Sequence, residues 1–189
     1  MRIGIDISQL AYKNTGVANY LWNLVCTLVR ENNDIEFVLF FSSLRRSIEY
    51  DLSSINYSNV EVKKFRIPPS LLHVLWNKLH IMPIEKFIGN VDFFISSDWA
   101  EPPVMRAKKA TIIYDLIVYK FPEETHSKTE IKLKGINISS NIVDIQKKKL
   151  SWVKKESDVI FCISDSTKKD AVEILGLDEK KVRVIYPGI

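Results

Sequence analysis

Asp98 and Trp99, Tyr114 and Asp115, and Ser164 each stand at the end of a short apolar run: FFISSDW (93–99), TIIYD (111–115) and VIFCIS (159–164). Thr15 and Gly16 follow the first such run, RIGIDI (2–7), across a polar loop. These residue types suit one kind of chemistry. Carboxylates accept hydrogen bonds from hydroxyls, and an indole or phenol ring packs on the apolar face of a small ligand, the usual mixture in a small-molecule pocket. A glycine where a helix opens bares backbone N–H groups that, with the helix dipole, attract phosphate. Each residue also has a plain structural use. Gly16 can relieve a steep turn, Trp99 can be half-exposed packing, the carboxylates can close loops, and Ser164 can cap a helix, with Ser166 only suggestive beside it. A site is favoured because one parallel sheet would bring all of these strand ends to a single edge.

Such a sheet is what the hydrophobic pattern asks for. Apolar runs recur at RIGIDI (2–7), EFVLFF (36–41), VEVKKFRI (60–67), VDFFIS (91–96), ATIIYD (110–115), DVIFCIS (158–164) and KVRVIY (181–186). Most are nearly continuous instead of alternating, as strands covered on both faces must be. Between them, residues 17–30 place Val17, Tyr20, Leu21, Leu24 and Leu28 on one helical face and Asn19, Asn23, Thr27 and Arg30 on another. Residues 70–88 suit a helix interrupted near Pro83, and 165–175 a helix with Ser164 at its start and Gly176 just past its end. The segment 123–157 divides into a polar half with Gly135, expected as a loop, and a half from Ile142 that suits a helix. The expectation is an α/β, Rossmann-like, doubly wound domain with a mainly parallel sheet of about seven strands, spanning residues 1–189 as one unit. Ligands of such sheets sit outside the strand carboxyl ends.

Several chemistries are disfavoured. The first loop holds only Gly16, so the G-x-G-x-x-G dinucleotide fingerprint is missing, and the second strand ends VLFFSS without the acidic residue that takes a ribose hydroxyl. No Lys-Ser or Lys-Thr follows the glycine, so the loop is not a P-loop. Cys26 and Cys162 form no CxxC pair and are expected as reduced packing residues. His73, His80 and His126 show no paired-ligand spacing, so no metal and no cofactor is expected. A net charge of +4 is too small to single out nucleic acid, and no aromatic RNA-binding or helix-turn-helix pattern occurs. Asp6 interrupts what would be an apolar leader, and no run reaches the ~18 residues of a membrane span, so a cytoplasmic location is expected. The basic stretch QKKKLSWVKK (146–155) reads either as a solvated helix face or as a peripheral contact with the inner face of a membrane through Lys147, Lys148, Lys149 and Trp152.

Taken in order, GIDISQLAYKNTGVANY, FFISSDWAEPP, IIYDLIVYKFPEE and VIFCISDSTKKDAVEILGLDEKKVRVIYPGI resemble the N-terminal half of family-four retaining glycosyltransferases of the GT-B fold. The resemblance covers nearly the whole chain and lies in the ordered set. It implies one of two Rossmann-like domains facing across a cleft, this one mainly holding the acceptor and the other the sugar nucleotide. It implies a nucleotide-sugar donor, a saccharide or lipid-linked acceptor, and a donor domain joined by a hinge at about residues 186–189. On the matching positions, Thr15 and Gly16 would approach the donor diphosphate. Asp98, Trp99 and Ser164 would line the acceptor side, and Tyr114 and Asp115 would take the catalytic positions. Many members carry His-Asp where this chain has Tyr114-Asp115, and tyrosine keeps a hydroxyl but not imidazole's proton chemistry near neutral pH. The isolated half is expected to be inactive. The alternative is a stand-alone, non-catalytic Rossmann-like module for a ligand or partner.

Overall fold

The computed structural model describes residues 1–125, 128–133 and 136–188; His126, Gly135 and Ile189 lie outside these. The seven expected strands all form and pair in parallel. They are β1 (Arg2–Asp6), β2 (Glu36–Ser42), β3 (Val60–Phe65), β4 (Phe93–Ser96), β5 (Lys108–Ile113), β8 (Val159–Cys162) and β9 (Val182–Val184), the numbers β6 and β7 belonging to a hairpin described below. Their order is β3-β2-β1-β4-β5-β8-β9. The chain thus winds outward in one direction from β1 and in the other from β4, the doubly wound Rossmann-like arrangement.

Strand β2 shows why the apolar runs are continuous. Phe37, Leu39 and Phe41 join the cluster under helix α1 (Gly16–Glu31), with Ile5, Leu21, Val25 and Val29. Val38 and Phe40 face the other way, among Trp76, Ile88 and Phe94. Alternate side chains point to opposite faces and both faces are covered, so every position must be apolar. Burying each of these side chains contributes roughly 1.5–3 kcal/mol. The fully buried stripe of α1 runs through Ala18, Leu21, Val25 and Val29, with Tyr20 beside it. Val17, Leu24 and Leu28, expected on the same face, pack along its flank and are partly buried. Cys162 is buried, and burial pushes its thiol up to about 11; Cys26 is only partly covered.

The interrupted helix near Pro83 is a short α-helical turn, α2 (Pro69–Leu72), running into π-helical turns at His73–Lys78. It breaks where His80 and Met82 take positive φ, and a further turn, α3 (Glu85–Ile88), follows. Another short turn, α4 (Ile117–Lys120), follows β5. The polar half of 123–157 corrects the expected loop. Its described residues form an antiparallel hairpin, β6 (Lys128–Leu133) with β7 (Ile136–Asn141), in which Ile131 pairs with Ile138 and Leu133 with Ile136. The apolar positions there recur every second residue, a strand signal that the polar composition masks. Helix α5 (Ile142–Glu156) follows, then α6 (Asp165–Leu175), capped by Ser164 and ended by Gly176 in the left-handed conformation.

Candidate functional site at the carboxyl edge of the sheet

β1 and β4 are neighbours from which the winding departs in opposite directions, so a crevice opens beyond their carboxyl ends. A cavity of about 200 Å³ lies there, lined among others by Asp6, Ser8, His73, Trp99, Ala100 and Ile145. Asp6 ends β1 and is buried; its Oδ1 accepts the Ser8 N–H at 2.9 Å. Burial raises the Asp6 pKa above the usual carboxylate range, opposed by the Ser8 hydrogen bonds and the charge of Lys149. Ser8 in turn ties β1 to β2, its Oγ accepting the Ser42 N–H at 3.0 Å.

Thr15 caps α1, with Oγ1 accepting the Ala18 N–H at 3.2 Å and donating to the Tyr12 carbonyl at 3.0 Å. The left-handed residue of this loop is Asn14, at φ 69°, so the turn does not demand the glycine. Gly16 is exposed, and a Cβ built on it would meet nothing within 4 Å. The first-turn N–H groups of Gly16 and Val17 have no carbonyl one turn back to bond, and the side-chain position of Gly16 beside them is open.

After β4, Ser97 is buried, Asp98 is half-buried and Trp99 is exposed at the cavity rim. Burial raises the Asp98 pKa; Lys149 and Gln146 pull it back down and the nearby Asp115 charge pushes it up. Asp115 is exposed, its Oδ1 accepting the Ile117 N–H at 3.0 Å, so one carboxylate oxygen closes a turn while the group stays open to solvent. Tyr114 lies inward of this edge. It is 7% exposed, its ring meets Tyr20 edge-on at 5.6 Å, and its hydroxyl pairs with Ser97 Oγ at 3.2 Å. Burial raises its pKa further above the ordinary phenol value. Ser164 accepts the Thr167 N–H at 3.1 Å, and Thr167 Oγ1 donates to the Tyr114 carbonyl at 3.2 Å, joining β5 to α6. Of the expected site residues, Trp99 lines the cavity. Thr15, Gly16, Asp98, Tyr114, Asp115 and Ser164 follow the carboxyl ends of β1, β4, β5 and β8 outside that lining.

Helix α5 supplies residues that the sequence pattern did not place at this edge. Gln146 Nε2 donates to the Asp98 carbonyl at 3.2 Å and lies 3.4 Å from its Oδ1, and Lys149 Nζ donates to the Ser97 carbonyl. One helical turn thus clamps the 97–98 corner. Lys149 is 2% exposed, which corrects its place in the expected basic surface: the ammonium is turned inward toward Asp98, Asp6 and Glu101, and burial lowers its pKa. Trp152 is likewise engaged, stacked on His80 at 3.6 Å and donating from Nε1 to the Asn77 carbonyl at 2.8 Å. Among the described residues, no helix is long and apolar enough to cross a membrane.

Behind the corner lies a buried polar cluster. Glu101 and Lys109 have fully buried side chains 3.3 Å apart, and Lys109 Nζ also donates to Glu156 at 2.9 Å. Ser96 and Thr111 donate to the Glu101 carboxylate at 2.6 and 2.9 Å. Asn77 joins this layer to the cavity. Its Oδ1 accepts the Glu101 N–H at 2.8 Å, and its Nδ2 lies 3.0 Å from the Trp99 carbonyl and 3.1 Å from His73 Nδ1. Asp6, His73 and Asn77 carried faint signals only: a carboxylate interrupting an apolar strand, and two polar residues four apart on an otherwise apolar helical face.

A family model described as Glycosyltransferase Family 4 matches residues 14–189. Among solved structures, the chain is similar to a short-chain dehydrogenase/reductase (ethylated) from Veillonella parvula DSM 2008, at 10% identity and a TM-score of 0.47, covering 85% of this chain and 67% of that one. The wide-type form of a short-chain dehydrogenase/reductase from the same organism, in complex with NADP, is similar at 10% identity and a TM-score of 0.46, covering 85% and 68%. Curated proteins show no match.

Proposed function

We propose, from the premise that this chain belongs to glycosyltransferase family 4, that it is the acceptor-side half of an enzyme moving a sugar from a nucleotide donor to a hydroxyl with retention. The observation that carries this reading is the carboxyl edge itself, where the start of α1, with an open side-chain position at Gly16, follows the same strand ends as Asp98, Asp115 and the cavity beside Trp99. Catalysis at such a site is chiefly positioning together with stabilisation of the charge on the departing diphosphate. The Gly16 and Val17 N–H groups and the α1 dipole meet that charge. Asp98 and Asp115 accept hydrogen bonds from acceptor and sugar hydroxyls, and Tyr114 acts through Ser97 by holding the 97–98 corner. Ser164 sets the start of α6 on the far side of the same rim. A second, donor-binding domain completes the cleft, so residues 1–189 alone do not turn over.

Gly16→Val tests the phosphate role. The added side chain meets no atom of this chain, so the melting temperature should move by no more than a few degrees. In the whole protein, the donor kcat/KM should fall by about tenfold or more, because the valine side chain stands where the diphosphate approaches the N–H groups. Unchanged donor kinetics would remove Gly16 from the site.

A further inference from the structure

We infer that the cavity between the β1 and β4 ends takes the uncharged, apolar-bodied part of the acceptor, an alkyl or aryl glycoside, and that His73 is its hydrogen-bond donor. This rests on the glycosyltransferase reading only in calling the ligand an acceptor. Three features of the cavity carry the ligand class.

First, the wall area is mostly apolar, with Ser8, Gln9, Ser42, Ser43 and Ser70 interspersed. Ala11, Leu72, Ala100 and Ile145 face the space, and Tyr12 and Trp99 stand exposed at its rim. A volume of about 200 Å³ is several times the ~30 Å³ that a water molecule takes in the liquid, enough for a short chain or a ring. Second, among the described residues no Lys or Arg lines it, and the one carboxylate that does is Asp6. A phosphate or carboxylate placed here would lose its hydration and meet the Asp6 carboxyl, while the nearby Lys149 ammonium is already engaged by Glu101, Asp98 and the Ser97 carbonyl, so a charged linkage is rejected from this cavity.

Third, the proton on His73 is placed by its neighbours. The Glu101 N–H can only donate, so the Asn77 atom that it meets is the oxygen, and Nδ2 is the end turned to the Trp99 carbonyl and to His73. Nδ2 can only donate, so His73 Nδ1 is the acceptor and carries no proton. Burial, with the charge of Lys78, pushes the His73 pKa down to about 4, so near neutral pH the ring is uncharged and its single proton sits on Nε2. His73 is 5% exposed, lines the cavity, and has no protein partner at Nε2 among the described residues. An N–H that opens on the cavity without a protein acceptor is placed to donate to an oxygen of the ligand.

The test is binding to the 189-residue chain, followed by the Trp99 indole NMR signal, assigned with Trp99→Phe. Octyl glucoside, kept below its micelle concentration, is compared with methyl glucoside and octyl phosphate. Octyl glucoside should bind at least about tenfold more tightly than either, since fewer than two buried methylenes supply that factor. Ser70→Phe, at a half-buried lining position, should weaken it about tenfold by filling the mouth. His73→Phe should weaken it about fivefold, the effect of one lost hydrogen bond, while His73→Gln, which keeps a donor, should restore most of the affinity. Equal binding of methyl and octyl glucoside, tighter binding of octyl phosphate, or indifference to Ser70→Phe overturns the assignment. If the whole protein transfers sugar but its first 189 residues do not bind octyl glucoside, the pocket assignment fails and the proposed function stands. Binding without transfer does the reverse.

Discussion

His73 shows what one side chain contributes to both stability and recognition. Its pKa is about 4 in the folded chain against 6.5 for an unperturbed imidazole, so between those values the unfolded chain binds more protons than the folded one. Stability therefore rises with pH across that window and is lost as pH falls through it, with little further contribution from this group above about pH 7. The swing is on the order of 2–3 kcal/mol. His73→Gln should flatten it, measured as the difference between wild-type and variant urea midpoints at pH 4, 5, 6 and 7; parallel profiles would deny His73 its neutral burial. Asp98, Trp99 and Asp115 were legible as site candidates because polar and aromatic residues directly after apolar runs must lie at strand ends. Lys149 was not. A lysine among five in a row of ten looks solvent-facing, and only the packing of α5 against the 97–98 corner shows that it points inward.

At the scale of elements, α6 was legible from its boundaries, because Ser164 and Gly176 satisfy the terminal N–H and carbonyl groups that a helix leaves unpaired. Ser164→Ala should cost about 1 kcal/mol and lower the melting temperature by a few degrees, read by circular dichroism. The hairpin β6–β7 was hidden because alternation in a polar background resembles a loop when composition outweighs period. Between β4, β5 and α5, the stability of the edge depends on a buried ion cluster whose partners come from distant positions: Glu101, Lys109 and Glu156. Lys109→Met leaves the Glu101 carboxylate buried without its cation and should cost about 3–5 kcal/mol in urea unfolding. Lys109→Met combined with Glu101→Gln should recover part of that loss, since the fully buried position 101 then carries no charge and Glu156 keeps its contact with His80; a double variant worse than the sum would show that the pair does not act as a unit.

For the whole molecule, the order β3-β2-β1-β4-β5-β8-β9 matters most, because it puts the ends of β1 and β4 side by side with chain departing both ways. The proposed enzyme needs a second surface across that crevice. Transfer of labelled sugar from nucleotide donors should therefore be measurable for the whole protein and absent for residues 1–189 alone; transfer by the shorter chain would show that its edge is already a complete site. The sequence by itself determined that the strands are parallel and doubly covered, since buried strands need continuous apolar runs, and where each strand would end to within about two residues. It also carried enough ordered motifs to mark the family. Only the tertiary structure decided which strand ends meet, that Tyr114 lies behind Ser97, that Lys149 turns inward, and that Asn77 sets the proton of a cavity-lining His73. Period and composition are local properties of a chain, whereas a hydrogen-bond partner 24 or 52 residues away is fixed by packing alone.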